Sequence, residues 1–287
     1  RSHLHPHGLR IYSCPMKWRL SVFLLVLCNA IAWHTIIVKT RPITPAFYFF
    51  DVGQGDSELL NFGAVQILID GGPPNGKALK RIERALGLED RYIDLVILTH
   101  PHLDHFGGLI DILKRYKIGK VITDGTEGTA PAYKEMQKPD LALGEGDSIT
   151  YGDYKLSVLA PNKTERANPD PNKASIVLLL EGPDTRILYM GDAHEENENR
   201  LRKQYKLKAD VLKIGHHGSR FSSSAAFLKE LKPKVAIIEV GKNSYGHPTP
   251  AVVARLKAVN SKTYATLDHG TIKIVPKDGT LKIYTEK

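Results

Sequence analysis

Cysteine is nearly absent from this chain of 287 residues. The only two are Cys14 and Cys28, and both precede residue 41. The remainder can therefore hold neither a disulfide framework nor a thiolate metal site, so a metal bound there needs histidine and carboxylate ligands. The sequence also has no internal repeat of fixed period and no low-complexity tract, which excludes a repeat architecture.

Acidic side chains are the scarcer charged type. The chain has 31 Asp and Glu against 40 Lys and Arg, which gives a formal net charge of +9 and a pI of about 9.3. Such an excess of positive charge favours a polyanionic partner, namely nucleic acid or an acidic membrane surface. The length and the hydrophobic fraction of 42% are those of an ordinary soluble protein with a sizeable core.

One long apolar run lies near the N-terminus, from Leu20 to Val38, and Lys17 and Arg19 precede it. The run approaches the length needed to span a bilayer, and the basic residues before it would keep its N-terminus in the cytoplasm. We therefore expect an extracytoplasmic protein, either secreted or anchored to the membrane by residues 17–38. The predicted organisation is a disordered upstream extension (1–15), a signal sequence or membrane anchor (16–40) and a globular domain (41–287).

The globular domain contains two successive series of strands and helices. Short β-rich runs open it, and Leu95 to Leu98 then reads as a buried strand, followed by a helix from Phe106 to Tyr116. A second series of strands begins near Lys155 and is again followed by helices, including a polar helix from His194 to about Tyr205. Two such series predict an α/β protein in which two sheets pack together with helices outside them.

The buried strand runs directly into Thr99-His100-Pro101-His102-Leu103-Asp104-His105. In an extended loop alternate side chains point the same way, so one short segment can present ligands to two neighbouring metal ions. Imidazole and carboxylate ligands suit zinc, manganese or iron, and a pair of such ions can hold both the attacking and the leaving oxygen of a displacement. Gly107 and Gly108 follow at once, where backbone segments must pass closely. The cluster therefore predicts a two-metal site.

Three segments carry a resemblance to a known family. Residues Thr99 to Gly108 resemble the HxHxDH signature of the metallo-β-lactamase superfamily, whose fold is an αβ/βα four-layer sandwich. Phe50-Asp51-Val52-Gly53-Gln54-Gly55-Asp56-Ser57 and Lys213-Ile214-Gly215-His216-His217-Gly218-Ser219 are similar to the C-terminal hydrolase domain of ComEC-type DNA-uptake proteins. The similarity extends from about Phe47 to Ile283, so the resemblance implies that residues 41–287 form a hydrolase domain.

The resemblance also implies two divalent ions, manganese or zinc, held by histidine and aspartate. The implied metal ligands are His100 and His102 for one ion, Asp104, His105 and His247 for the other, and Asp192 bridging both. Of His216 and His217, one would bind a metal and the other would protonate the leaving group, and we favour His216 as the one that faces the metals. With Asp104, these two histidines are the predicted catalytic residues.

Further residues are expected around the ions, and among them Asp70 would orient a ligand histidine from behind. The other predicted rim residues are Asp51, Gln54, Asp56, Asn172 and Ser175. Histidine is absent between Phe106 and Gly191, so the third histidine that completes the first metal in many members of the superfamily is missing. The first metal would then be open to water or a substrate oxygen, or be completed by Asp170 or His216.

The leading functional hypothesis is hydrolysis of a phosphodiester, with DNA as the expected substrate and partner. A hydroxide bridging the two ions would attack phosphorus, while the ions offset charge on the non-bridging oxygens. The cations expected to guide the phosphate backbone are Lys213 and Arg220, with Lys77, Lys80, Arg81, Arg84, Arg115 and Lys117. Two alternatives stay open: hydrolysis of a lactam, lactone or thioester at the same metals, and a membrane-tethered DNA-binding module whose metal site is vestigial.

Overall fold

The computed structural model describes residues 16–40 and 44–287, which belong to two units divided at Ile43. The first unit contains helix α1 (Met16–Thr40), whose side chains are exposed wherever the structure describes them. Within these described ranges, no helix combines the length and the apolarity needed to cross a membrane. The upstream extension expected at 1–15 lies outside the described residues, and the anchor and the extracytoplasmic location stay predictions.

The second unit alternates strands with helices. Its strands are β1 (Ala46–Phe49), β2 (Glu58–Asn61), β3 (Gln66–Ile69), β4 (Tyr92–Ile97), β5 (Lys117–Thr123), β6 (Leu141–Ala142), β7 (Ser148–Tyr151), β8 (Tyr154–Ala160), β9 (Val177–Gly182), β10 (Thr185–Tyr189), β11 (Val211–Lys213), β12 (Val235–Ile238), β13 (Lys262–Ala265), β14 (Ile272–Lys277) and β15 (Thr280–Thr285). Its helices are α2 (Lys77–Leu86), α3 (Leu103–Phe106), α4 (Leu109–Arg115), α5 (Lys163–Arg166), α6 (Glu195–Gln204), α7 (Ala225–Leu231), α8 (Pro250–Ala258) and α9 (Thr266–His269).

These strands form two mixed sheets. The first has the order β15-β14-β1-β2-β3-β4-β5-β6 and the second β13-β12-β11-β10-β9-β8-β7. Strands β3 to β5 are parallel in the first sheet, and β10 to β13 are parallel in the second. Helices α2 and α4 pack on the first sheet, and α6, α7 and α8 pack on the second. The predicted four-layer αβ/βα sandwich is therefore confirmed.

Alternation along the strands builds the apolar layers of the sandwich. In β3, Ile67 and Ile69 face the opposite sheet whereas Leu68 faces the helices, because successive side chains of a strand point to opposite faces. All four residues of β3 are buried, as expected for a strand covered on both sides. Between the sheets, the rings of Phe49 and Tyr189 stack with their centroids 5.8 Å apart.

The candidate site residues follow the ends of parallel strands. Asp70 follows β3, the histidine motif follows β4, Asp192 follows β10, and His216 and His217 follow β11. Because the carboxyl ends of parallel strands meet at one edge of a sheet, and the two sheets pack face to face, these loops converge. The fold thus brings the motif of the first half against the aspartate and the histidine pair of the second.

The structure corrects one local prediction. Helix α3 begins at Leu103 with His102 as its N-cap, so Asp104 and His105 lie in a helical turn and not in an extended loop. Helix α4 follows from Leu109, and the single helix expected from Phe106 to Tyr116 is in fact interrupted. Only the preceding part of the motif keeps the extended geometry that the spacing suggested.

The two glycines after the motif permit a close backbone crossing, which yields a stability prediction. A Cβ atom on Gly108 would overlap the carbonyl oxygen of Gly71, whereas one on Gly76 would meet no atom within 4 Å. We expect Gly108→Ala to lower the free energy of unfolding by about 3 kcal/mol or more. Gly76→Ala, which only strains a positive φ, should cost about 1 kcal/mol. Urea titration of the full chain measures the free energy of unfolding of both variants. Equal losses of stability in the two would contradict the close backbone crossing at Gly108.

Candidate metal centre

Asp192 lies at the centre of the candidate site. Its Oδ2 atom faces four imidazole Nε2 atoms: His105 at 3.4 Å, His216 at 3.7 Å, His217 at 3.7 Å and His100 at 3.8 Å. The backbone N–H of Asp192 donates to the hydroxyl of Ser175 at 3.2 Å, which fixes the turn after β10. A single buried carboxylate therefore connects histidines from both halves of the fold.

A first ligand group consists of His100, His102 and Asp192, whose ligand atoms lie within 4.8 Å of one another. His100 Nε2 and His102 Nδ1 are 3.1 Å apart. His216 Nε2 also faces Asp192, at 3.7 Å. His216 as the residue that completes the first group, one of the alternatives from the sequence, stays a prediction.

A second ligand group consists of Asp104, His105 and His217, again with ligand atoms within 4.8 Å. His217 Nε2 lies 3.3 Å from Asp104 Oδ2. Asp192 is shared with this group through its contacts with His105 and His217. Asp192 is thus positioned to bridge the two groups.

Asp70 orients two of the histidines. Its Oδ2 accepts hydrogen bonds from His105 Nδ1 and from the hydroxyl of Thr99, both at 2.7 Å. Because the Thr99 hydroxyl donates to Asp70, its oxygen accepts from His100 Nδ1 at 3.0 Å. Both rings therefore carry the proton on Nδ1 and present Nε2 to the centre. The sequence predicted the orienting role of Asp70. It did not predict that Thr99 links Asp70 to His100, because only the position of Thr99 beside His100 indicated this.

The tautomer of His217 is fixed from behind in the same manner. Its Nδ1 lies 2.9 Å from the carbonyl oxygen of Glu239 and 3.1 Å from Asp56 Oδ1. A carbonyl and a carboxylate only accept, so Nδ1 carries the proton and Nε2 faces Asp104 and Asp192. Asp56, expected at the rim, lies behind His217 and is fully buried.

The backbone between Gly215 and Gly218 is strained. His216 (φ 49°, ψ 47°) and His217 (φ 53°, ψ 23°) both adopt the left-handed region. That conformation costs roughly 1–2 kcal/mol for each residue with a Cβ. The His216 N–H donates to Gly191 at 3.1 Å, and the His216 carbonyl accepts from Ser219 at 2.8 Å. These bonds hold two consecutive rings toward Asp192, and such strain is characteristic of functional sites.

Charge and burial act on these groups together. Burial would raise the pKa of Asp192, but His105 and His217 hold it well below its usual value. Burial lowers the pKa of His100 well below its usual value and lowers that of His216 to about 4. Burial opposes the charge on His105 as well, but Asp192 leads the carboxylates that raise its pKa well above the usual range. Near pH 7 the carboxylate is therefore ionised, and His100 and His216 are neutral and able to bind a metal.

The donor set fits divalent cations. Within the described part of the chain, the buried atoms that lack a hydrogen-bond partner include His105 Nε2, His217 Nε2 and Asp192 Oδ1 of the centre. Unpaired buried polar atoms are costly, so their convergence on one point indicates a ligand. Imidazole nitrogen with carboxylate oxygen suits zinc and manganese alike.

The sequence predicted that Lys213 contacts nucleic acid, but the structure buries this residue. It is fully buried, and its ammonium contacts the Asp56 carboxylate and lies 3.3 Å from the carbonyl oxygen of Gly191. Because it cannot reach solvent, the DNA-contact prediction for this residue is wrong. Burial lowers the pKa of Lys213 to about 8, so the ammonium remains the main form at pH 7. The pair joins the two halves of the fold behind His217.

Two further carboxyl groups adjoin this pair and had not been expected. Glu58 and Glu239 lie with Asp56 in a buried cluster whose oxygens are within 4.8 Å of one another. Burial raises the pKa of Glu239 to about 7 and that of Glu58 well above its usual value, with Glu239 adding to the latter shift. A retained proton and the Lys213 ammonium therefore offset their charges. The sequence feature that could have revealed this cluster is an acidic residue next to apolar strand residues, which occurs at Glu58 in β2 and at Glu239 after β12.

His247 lies outside both ligand groups, so its assignment to the second metal is corrected. Its ring centroid is 5.6 Å from that of His216, and His217 instead occupies the place beside Asp104 and His105. The preference for His216 over His217 also needs revision, because the Nε2 atoms of both are 3.7 Å from Asp192. Two left-handed residues in succession could not be read from the sequence.

The remaining predicted residues have different surroundings. Asp51 contacts Arg81 at 3.7 Å and so faces helix α2, away from the ligand groups. Gln54 accepts a hydrogen bond from the backbone of Gly241 at 3.3 Å and links two loops. The backbone N–H of Asn172 donates to Asp170, whose carboxylate lies 3.7 Å from His194. Arg220 is exposed, as its predicted role requires.

A four-layer sandwich with this histidine motif at the end of a strand, and with a shared aspartate from the second half, is typical of metal-dependent hydrolases. The sequence profile of the Metallo-beta-lactamase superfamily matches residues 51–241. The chain belongs to this superfamily, and its fold implies that it binds divalent metal. A solved structure, the metallo-beta-lactamase fold protein YhfI from Bacillus subtilis, has a TM-score of 0.56 at 13% identity and covers 80% of this chain and 99% of its own.

Three curated relatives are similar in sequence. ComE operon protein 3 of Bacillus subtilis is 32% identical (82% of this chain, 34% of the relative), Recombination protein 2 of Haemophilus influenzae is 29% identical (89% and 32%), and Ribonuclease TTHA0252 of Thermus thermophilus is 29% identical (48% and 35%). The first two matches confirm the resemblance to ComEC-type proteins. The chain spans about a third of the length of each relative.

The buried pair behind His217 yields a prediction for stability. Lys213→Met leaves Asp56 as an uncompensated buried charge, so we expect a loss of about 3–5 kcal/mol in the free energy of unfolding. Adding Asp56→Asn should restore most of it, because the unpaired charge is then gone. Lys234→Met is the matched control: Lys234 pairs with Asp210 at 2.8 Å but is 78% exposed, so its removal should change little. Equal losses from the two lysine variants in urea titration would contradict this role.

Proposed function

We propose that this domain is a metal-dependent phosphodiesterase that cleaves DNA with two divalent cations, manganese or zinc, one in each ligand group. The observation that carries the proposal is the position of Asp192, which lies between the first and second ligand groups within reach of both. Paired cations about 3.5–4 Å apart supply Lewis acidity to the phosphoryl oxygens and to the attacking water. Phosphodiester hydrolysis develops charge on several oxygens at once, which such a pair offsets directly.

The relatives favour a nucleic-acid substrate. One is named a recombination protein and another a ribonuclease. The match to the former covers 89% of this chain and the match to the ribonuclease only 48%, so DNA is the better-supported polymer. The net charge of +9 favours a polyanion in either case.

The chain's own residues have distinct tasks in this proposal. Asp192 and the two ligand groups hold the cations, and Asp70 and the carbonyl oxygen of Glu239 fix the tautomers of the histidines. Proton donation by His216 or His217 no longer fits, since the pKa of His216 is lowered to about 4 by burial. His217 has its Nδ1 proton engaged with Glu239 and its Nε2 turned to the second ligand group. Both histidines act instead as ligands.

The cations proposed to guide the DNA backbone form a smaller set than the sequence suggested. Arg81 and Arg84 contact Glu286, and Arg115 lies 3.5 Å from Glu83. The predicted cations that are exposed and have no ion pair within the described residues are Lys77, Lys80, Lys117 and Arg220. Lys77 is the best placed, because its Nζ lies beside Gly53, in the loop that carries Asp56. A Cβ atom added to Gly53 would be 3.6 Å from that Nζ.

The proposal is tested by incubating metal-free protein with manganese or zinc and end-labelled DNA, single- and double-stranded. We expect cleavage only with added metal. Asp192→Asn and Asp104→Ala should each reduce it more than about 100-fold, because each removes a first ligand, whereas loss of an outer partner alone costs 10–100-fold. Asp153→Asn, at an exposed turn between β7 and β8, is the control and should cleave normally.

Three results would count against the proposal. One is intact DNA together with hydrolysis of a chromogenic cephalosporin, which would indicate lactam chemistry at the same centre. A second is unchanged DNA cleavage by Asp192→Asn, which would indicate a contaminating nuclease. The third is strong salt-dependent DNA binding by protein that takes up no metal, which would favour the non-catalytic alternative.

A further inference from the structure

Five aromatic rings form one continuous row that passes through His216 of the metal centre. Their order is Tyr245, His247, His216, His194 and Phe221, and neighbouring ring centroids are 5.8, 5.6, 5.3 and 5.9 Å apart. We call this set the aromatic strip. Its middle ring, His216, is the one that faces Asp192. The strip therefore extends outward from the metal centre in two directions.

The outer rings of the strip are exposed to solvent. Tyr245 is 73% exposed and Phe221 is 52% exposed, so neither contributes to the core. Each ring nevertheless contacts a neighbouring side chain. The Arg220 guanidinium lies 4.7 Å from the centroid of the Phe221 ring, and the Tyr245 ring lies beside that of His247. A single exposed aromatic residue needs no explanation, but two that end one row of rings through His216 suggest a binding surface.

Local hydrogen bonds hold both outer segments in place. Asn243 Oδ1 accepts from the backbone N–H of Tyr245 and of His247, each at 3.0 Å. On the other side, the carbonyl oxygen of Phe221 accepts from the backbone N–H of Glu195 at 2.8 Å. Because these segments are already ordered, a ligand would lose little affinity to ordering them.

The charges around Phe221 indicate which part of a ligand would lie there. Three acidic and two basic side chains line the groove beside it, namely Asp170, Glu195, Glu196, Lys173 and Arg220. Lys173 and Glu196 neutralise each other through a 2.7 Å ion pair. A phosphate inside the groove would meet more negative than positive charge, so Arg220 is left to guide the backbone beside the groove, whereas a flat uncharged ring gains the face of Phe221. The groove thus fits a nucleobase better than a phosphate.

We propose that Phe221 and Tyr245 are nucleobase subsites that stack bases on either side of the phosphodiester held at the metal centre. This inference rests on the proposed function and specifies the form of its substrate. In a duplex both faces of a base are covered by its neighbours, so only an unpaired strand offers faces for stacking. The aromatic strip therefore selects a single-stranded segment, with the phosphate at Asp192 and bases at the two outer rings.

The test compares single-stranded oligonucleotides that carry either normal nucleotides or abasic sites flanking the cleaved bond. For the wild type, abasic sites should raise KM about tenfold per base and leave kcat nearly unchanged, as expected when stacking is lost. Phe221→Ala and Tyr245→Ala should each raise KM about tenfold on the normal strand and have no effect on the strand that lacks the matching base. Phe221→Tyr and Tyr245→Phe keep the ring and should restore the wild-type KM.

Tyr284→Ala is the matched control, because Tyr284 is 56% exposed but lies on edge strand β15, outside the aromatic strip. It should leave KM unchanged. Metal content of every variant is measured, so that damage to the centre is not mistaken for a lost subsite. The inference is overturned if the wild type cleaves normal and abasic strands equally well, or if the alanine variants lose activity equally on both. If the wild type cleaves no oligonucleotide at all, the proposed function fails, and this inference fails with it.

Discussion

The Asp192 carboxylate is the group on which both ligand groups depend, because one of its oxygens lies 3.4–3.8 Å from four imidazole nitrogens. Two of those histidines come from the motif after β4 and two from the turn after β11. Asp70 and Asp104 each contact a single one of these rings, at His105 and at His217 respectively, whereas Asp192 is the group common to all four. The face-to-face packing of the two sheets brings these strand ends together. Asp192 then supplies the carboxylate oxygen that all four histidines face.

Behind the ligand groups, each fixed imidazole has an acceptor that sets its tautomer. Asp70 accepts from His105 directly and from His100 through Thr99, while the carbonyl oxygen of Glu239 accepts from His217, with the Asp56 carboxylate 3.1 Å from the same ring nitrogen. The burial of Asp56 is in turn compensated by the Lys213 ammonium. Because this ion pair joins a loop of the first sheet to a strand of the second, the geometry of the centre depends on the register between the two halves. Outer partners of this kind tune metal sites strongly.

The strand and helix pattern was enough to predict two packed sheets with helices outside, and local spacing was enough to predict the two-metal site at the histidine motif. The four-layer sandwich and the bridging role of Asp192 were implied by the resemblance to the metallo-β-lactamase superfamily. Local spacing was not enough to choose His217 over His247, because that choice depends on two consecutive residues with positive φ, a conformation that only surrounding hydrogen bonds can stabilise. Lys213 was misread because a lysine is normally a surface residue. Its apolar neighbours, Leu212 and Ile214, were the signal that it lies in a buried strand end.

The central claim is that one carboxylate joins two metal positions. The most direct measurement is anomalous diffraction from crystals containing manganese. The account predicts two peaks about 3.5–4 Å apart, one beside His100 and His102, the other beside Asp104, His105 and His217, with Asp192 contacting both. A single peak, or two peaks of which only one contacts Asp192, would contradict it.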